Sequence, residues 1–586
     1  MSGHRTHRLL GLAAVTLAVV VSACVDAPSA PGDDVGSGAL FFAPQVTLVG
    51  PAGPATSLAQ TDALDEAFDR VDRFHMVVRR ASDNRIVADT VIGVTPGLDE
   101  YNLAAPVVIA SADEQFLVSL IASQGDVELF STPPILTRAT RVDAAGNPVG
   151  GAAAGAVSTT ISLTYSGPGA TAASVEIEPG QVVLGPGGVA TVAFKVLDDT
   201  GAVIAGVPVS WTSTAASVAT VDGGNVTGVS DGISEVVVTT PTGLQASSTV
   251  YVVSGTLAFV QDGVVRTRAP GGGDVAERGG AGAASAPAWS PDGTRLFFAE
   301  GGSVRLSGDG SPLFGGGWPS VSPDGTKLAA DDGSSVVFAN DDGSNATAGP
   351  AGTTPVWSGD GELIVGGGSV QRVMADGSGR SDVAGGSAEL PALGPGGAVA
   401  YVDGGTLMVT GGGTVATGVD GRPSWSPDSF WLVVQSGGGL VLAPIDGSAA
   451  PAALPGLEGA SDPAFQPSGA LSAPPALSLA GVDPDPPVPG QPVQLLGAGF
   501  DWIIPSNNRV FWPTADAHTE TAVSAATSGS LTTVMPRTVA AGQIRVETRT
   551  GSAVLDFVPT LGAIEIRATT REGIGVPGVE AIVFAL

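Results

Sequence analysis

The sequence predicts an all-β protein, and three observations predict it. Among 586 residues there are 85 glycines and 44 prolines, yet 43% of the chain is hydrophobic, so turn punctuation alternates with material for packed cores. Short Val-, Thr- and Ile-rich runs fill the gaps between Gly, Pro, Asp and Asn clusters, and long helical periodicity is missing. A short motif recurs six times in the second half of the chain, the mark of an array of equivalent supersecondary units. The length implies about four domains.

The N-terminus is read first. Arg5 and Arg8 precede an apolar run from Leu9 to Val21, the order of a secretory leader. Those 13 residues would make a helix of roughly 20 Å, short of the ~30 Å hydrocarbon core, which disfavours a permanent membrane span. Ser22 and Ala23 are small, and Cys24 follows directly. This arrangement resembles the bacterial lipobox. The resemblance implies cleavage between Ala23 and Cys24 (residues 1–23 being the signal peptide), acylation of the Cys24 thiol, and a membrane lipid anchor. With Val25 and not Asp after the cysteine, the resemblance points to the outer membrane or cell surface. Cys24 is the only cysteine, so its acylation excludes any disulfide. Residues 24–38, rich in Pro, Gly, Ser and Asp, read as a flexible tether.

Charge narrows the partners. The net charge is −31, and loss of Arg5 and Arg8 with the leader takes it to −33. That excess disfavours nucleic acid and anionic membrane surfaces as electrostatic partners.

Residues 39–165 form a first β module. Its candidate strands lie around Phe74–Arg79, Ile86–Val91, Phe116–Ile121 and Val127–Phe130, and it looks like an immunoglobulin-type sandwich of no assigned family. A short helix is expected within Ala63–Phe74, and Gly146–Gly155 reads as a loop. Residues 172–253 carry Trp211-Thr212-Ser213, Val218-Ala219-Thr220-Val221-Asp222 and Gly224-Asn225-Val226-Thr227-Gly228-Val229 in that order. They resemble the group 2 bacterial immunoglobulin-like domain of surface adhesins, with Trp211 expected as a core anchor.

Residues 255–470 hold the repeat. Its large apolar position falls at Trp289, Val321, Trp357, Leu393, Trp425 and Phe465, with steps of 32, 36, 36, 32 and 40 residues. Proline stands two residues before each. Fullest in Trp289-Ser290-Pro291-Asp292-Gly293, the motif keeps Asp324 and Gly325, Asp360 and Gly361, and Asp428 in the later copies. It resembles the TolB-type, WD40-like repeat, which implies a six-bladed β-propeller with four strands per blade. Thr256–Val260 and Gly263–Thr267 form a strand pair with no motif before them, while Phe465 has little strand pair after it. Joining the two would complete the sixth blade and close the ring. The predicted fold is therefore a six-bladed β-propeller flanked by immunoglobulin-like β-sandwich domains.

Residues 474–559 resemble the IPT/TIG immunoglobulin-like domain through Pro489-Gly490, Val493, Leu495 and Gly497-Ala498-Gly499-Phe500, with an insert at Asp501–Asn507. Residues 562–586 give two strands, a β-hairpin or the start of a further domain.

Catalytic signals are weak. Beyond the leader only His75 and His518 remain, in different modules, which disfavours a metal site or a histidine triad. Gly228-Val229-Ser230-Asp231-Gly232 matches the nucleophile-elbow pattern but lies where an immunoglobulin-like turn belongs. Asp292, Asp324, Asp360 and Asp428 recur at one repeat position and read as turn formers, too dispersed for a glycosidase pair. Asp341-Asp342-Gly343-Ser344-Asn345 lacks calcium-loop spacing and reads as a hairpin turn. Trp289, Trp357 and Trp425 read as blade packing, and Trp318 and Trp502 as the exposed aromatics. No cofactor is implied. The expectation is a non-catalytic binding or scaffold protein, with an unknown protein, peptide or glycan at the propeller; the alternative is a carbohydrate-active enzyme using the propeller funnel.

Overall fold

The structure is a computed structural model that describes residues 36–559, apart from 43–45, 98–102, 110–113, 139, 142–160, 360, 395, 474–475 and 516. The leader, Cys24, Asp360, the loop at 146–155 and the 562–586 hairpin lie outside the described residues. No helix among the described residues is long and apolar enough to cross a membrane. The chain divides into two compact units, Met1–Val253 and Ser254–Leu586.

In the first unit, the last residues assigned to the tether already belong to a strand. Gly36–Phe42 pairs antiparallel with Leu103–Ile109, because ladder formation needs only backbone groups, which a Gly/Ser stretch also supplies. The helix α1 spans Leu58–Phe68, earlier than expected. Ser57 caps it, accepting a 3.1 Å bond from the Gln60 N–H. Its end is set by the next segment: Arg73–Arg80 alternates buried and half-exposed residues, the period of a strand. Ala63, Leu64, Ala67 and Phe68 bury one face of α1 against a core that includes Phe74, Phe130 and Tyr165. The larger sheet contains a parallel pair, Val46–Gly50 with Ile161–Tyr165. Residues 174–252 form three small sheets. Trp211 is half-buried at the core edge, meeting Phe194 edge to face at 5.8 Å. Helix α1 ties the two modules together, since Ser210 Oγ donates to the Ala59 carbonyl (2.7 Å) and Gln60 Nε2 to the Pro241 carbonyl (3.1 Å).

The second unit begins with six four-stranded antiparallel sheets. The motif-bearing first strands are Ala284–Trp289, Gly317–Val321, Thr353–Trp357, Ala388–Leu393 and Ser424–Trp425 for sheets one to five. Each is followed in order by three more strands of its own sheet. The sixth sheet is composite. Ser461–Phe465 supplies its first strand and pairs with Leu257–Gln261, which continues to Val264–Arg268 and Ala276–Gly279. First strands of consecutive sheets are neighbours, and Ser461–Phe465 lies beside Ala284–Trp289, so the series returns to its start.

Two further four-stranded sheets cover residues 478–557 and enclose Trp512, Leu495, Ile544 and Phe557. The insert after Phe500 is the joint between this part and the six sheets. Ile504 is buried with Phe338, Trp357 and Val373. Lys327 Nζ meets Asp501 at 3.2 Å with both side chains largely buried. The amides of Asn507 and Asn340 bond reciprocally, and Asn345 donates to Asn507 Oδ1 at 2.8 Å.

The candidate site at the centre of the six sheets

The repeat motif builds a turn that satisfies itself. Ser290 Oγ donates to Asp292 (2.5 Å) and accepts from the Arg295 N–H (2.9 Å), while Asp292 also accepts from Thr294 N and Oγ1. Ser322, Asp324, Thr326 and Lys327 repeat the pattern. Ser426 and Asp428 do so again with Phe430 and Trp431. The hydroxyl thus links carboxylate and strand start, which explains Ser and Asp two residues apart. The Ser290 hydroxyl and the Thr294 backbone hold the Asp292 carboxyl below its ordinary range. For Asp324, burial pushes upward, but the bonds from Ser322 and Thr326 outweigh it and the net shift is downward. Among the described residues, Asp292, Asp324 and Asp428 each accept from a backbone N–H two residues on. In the third copy, Ser358 donates to Glu362 at 2.6 Å, and Glu362 pairs with Arg372.

The large apolar residues face one another between sheets. Val321, Trp357, Trp425 and Phe465 are buried; Trp289 and Leu393 are half-buried. The indoles of Trp289 and Trp425 each donate at 3.1 Å to a carbonyl of the neighbouring motif, Ala464 and Ala392. Among the described residues no partner reaches the Trp357 indole N–H. Gly394 replaces serine where the Trp425 ring approaches: a Cβ there would lie 2.6 Å from it. All six repeat prolines are buried.

These strands surround a cavity of about 370 Å³. Its wall includes Trp289, Trp357, Leu393, Trp425 and Phe465, and Arg422 is its charged side chain. Arg422 Nε donates to the Pro391 carbonyl (3.0 Å), and the guanidinium lies 5.8 Å from the Trp318 ring centre. Burial pushes the Arg422 pKa down to about 10, against the opposing pull of Asp462 and Asp331. Both carboxyls are pushed up by burial. Asp331 accepts from the Thr354 and Gly333 N–H groups, and Asp462 from that of Ala286.

This charge cluster was not foreseen from the sequence, but a column of the repeat contains it. The residue before each repeat proline is Ala286, Trp318, Thr354, Leu390, Arg422 or Asp462. Five of these, all but Arg422, have φ between +47° and +53°, each at a β-bulge. A left-handed L-residue costs about 1–2 kcal/mol, so five repeats carry strain in the first strands of their sheets. Trp318, expected to be exposed, is therefore half-buried at a bulge under Arg422. Trp502, also expected to be exposed, is half-buried because the joint packs it over Gly361.

Other motifs resolve as structure. Ser230 lies in a strand-to-strand turn and donates to the Ser217 carbonyl at 2.6 Å. Asp341 pairs with both Arg295 (2.7 Å) and Arg549 (2.8 Å), and Asp342 caps its own turn through Ser344. Among the described residues no group of three or more His, Cys, Asp or Glu is placed to hold a metal ion.

The class defined so far is a nearly all-β chain whose repeats form consecutive four-stranded sheets about a shared cavity. No family model matches the chain, and no curated protein matches it. Similar solved structures include TolB from Acinetobacter baumannii, at 15% identity and a TM-score of 0.32 over 41% of this chain and 80% of that one. A putative TolB from Agrobacterium tumefaciens is similar at 15% identity and TM-score 0.26, over 34% and 88%. AztD from Citrobacter koseri is similar at 12% identity and TM-score 0.23, over 53% and 100%.

Proposed function

We propose that the chain is a cell-envelope lipoprotein, cleaved after Ala23 and anchored through Cys24, that acts as a non-catalytic binding or scaffold protein. In this reading the six sheets are the blades of a β-propeller, and the immunoglobulin-like modules hold it away from the outer membrane. The central cavity is the platform for a protein, peptide or glycan. The observation that carries this reading is the make-up of the cavity wall. The six repeats build it from tryptophan, proline and other apolar side chains with Ser320, Ser424, Ser426 and Arg422 as its polar ones, while the described motif aspartates are taken up inside turns. A convergent apolar wall with few polar groups is what binding sites present. The glycosidase alternative needs two acids free to exchange protons with substrate. Asp331 and Asp462 instead accept backbone N–H bonds and face Arg422, which suits a fixed charge cluster.

The test is capture from envelope extracts by the full-length, lipid-anchored protein, beside a Leu393→Glu variant with an unchanged melting temperature. A partner held by the wild type and lost by the variant is expected. Oligosaccharide hydrolysis, or no specific partner with folding intact, would sink the reading.

A further inference from the structure

The joint between sheet two and the 478–557 sheets encloses a cavity of about 260 Å³. Sheet two supplies Lys327 and Asn340 to its wall, and the facing loops supply Trp502, Ser528 and Arg549. A second hollow of about 380 Å³ adjoins it, sharing Asn340, Thr548 and Arg549 and adding Asn345 and Arg509. The two make one cleft along the joint. Trp502 is half-buried, and the benzo edge of its indole rests over Gly361, which holds the ring in place on the cleft wall.

The cleft is polar, yet its charges are matched. Lys327 pairs with Asp501 (3.2 Å), Arg509 with Glu547 (3.5 Å) and Arg549 with Asp342 (3.5 Å), all of them wall residues. An incoming ion would compete with these pairs, whereas a neutral polar ligand would not. Beneath the wall, Asn340 and Asn507 exchange amide bonds, and Asn507 also donates to Asp501 at 2.7 Å. Apolar side chains of similar volume would join the two parts without desolvating such a network. What the network adds is fixed positions for the groups at the cleft surface. Asn345 is exposed and is held through one N–H on Asn507, at 2.8 Å. Arg549 is exposed and engages Asp341 and Asp342 with two of the five donors a guanidinium carries.

We propose that this cleft binds a neutral pyranose unit of a glycan. Trp502 is the platform for the sugar ring, and Asn345, Ser528 and Arg549 meet its hydroxyls. The C–H face of a pyranose is apolar and packs on an aromatic ring. Its hydroxyls both donate and accept, and so together do an amide, a hydroxyl and a guanidinium. The boundary between two packed parts of a chain is a favoured place for such a site. The cleft shares no wall residue with the central cavity, so the proposal does not depend on the reading given to that cavity.

The probes are maltohexaose, cellohexaose, mannohexaose and chitohexaose, each titrated by calorimetry into the intact chain, with polygalacturonate as the charged comparison. At least one neutral probe should bind. Its affinity should fall about tenfold in Asn345→Gly, which removes the amide and keeps the left-handed φ of +56°. Binding should be lost in Ser528→Trp, which sets an indole on the cleft wall at an exposed position. Trp502→Leu should lose it as well; because Trp502 also packs the joint, Ser528→Trp is the deciding variant. Ser82→Trp, in an exposed turn of the first unit, should bind as the wild type does. No binding of any probe, binding of polygalacturonate alone, binding unchanged in Ser528→Trp, or equal loss in Ser82→Trp would overturn the proposal.

Discussion

Trp357 and Trp425 occupy the same repeat position with different hydrogen bonding, and this makes them a controlled pair. The Trp425 indole N–H meets the Ala392 carbonyl, whereas that of Trp357 is buried with no hydrogen-bond partner among the described residues. Trp425→Phe should therefore cost about 1 kcal/mol beyond any packing loss, while Trp357→Phe should be neutral or stabilising, because it removes an unsatisfied donor. Urea denaturation of the two variants checks this. The acids at the centre and in the turns should respond oppositely to pH. Asp331 and Asp462 are raised by burial, so the folded state keeps their protons where the unfolded chain has lost them. Their contribution is most favourable below the ordinary carboxylate value of about 4 and declines as pH rises through the folded values. Asp324 is lowered, so its contribution is present above about pH 4 and lost as pH falls through its folded value. Against wild type, Asp331→Asn should gain relative stability as pH rises, and Asp324→Asn should lose its deficit as pH falls, in denaturation between about pH 3 and 7. Arg422→Met leaves both central carboxyls without their cation and should cost about 3–5 kcal/mol at neutral pH, read from the same curves. The turn aspartates were legible because their partners lie within a few residues. Arg422 was not, since its partners Asp331 and Asp462 lie 91 and 40 residues away.

The insert at Asp501–Asn507 is an element whose role depends on another element. Read along the chain it is an irregular departure from the IPT/TIG-like pattern. Folded, it anchors the 478–557 sheets to sheets two and three through Asp501, Ile504 and Asn507. Asp501→Ala would leave Lys327 largely buried and unpaired, at a cost of about 3 kcal/mol. The expected outcome is loss of a single unfolding transition for residues 254–559 and early protease cleavage around 466–477. One unchanged transition by calorimetry would show that the joint does not couple the two parts. Helix α1 gives the opposite lesson. Its presence was legible, but its start was set by the Ser57 cap and its end by the strand alternation from Arg73, so the expected bounds were late. Ser57→Ala should cost about 1 kcal/mol in chemical denaturation.

At the scale of the molecule, two distant segments make the sixth sheet. Leu257–Gln261 needs Ser461–Phe465 as its inner neighbour, so contacts about 200 residues apart return the series of sheets to its start. A chain ending before residue 461 should lose the cooperative unfolding of the six sheets, because Leu257–Gln261 and Ala284–Trp289 both lose a neighbour. Far-UV circular dichroism on heating would show a broadened, earlier transition. The lipid anchor is tested by palmitate labelling, which Cys24→Ser should abolish.

By itself the sequence determined the all-β class, the six-fold repeat and the pairing of the first strand pair with the last motif. Each of these is a periodic or local signal, written in residues a few positions apart or at a fixed step. Only the tertiary structure decided what fills the centre and what lines the joint. Arg422 with its two carboxyls, the strained column before the prolines, and the cleft at the joint all come from segments brought together by strand packing. One-dimensional spacing carries no record of which side chains that packing will make neighbours.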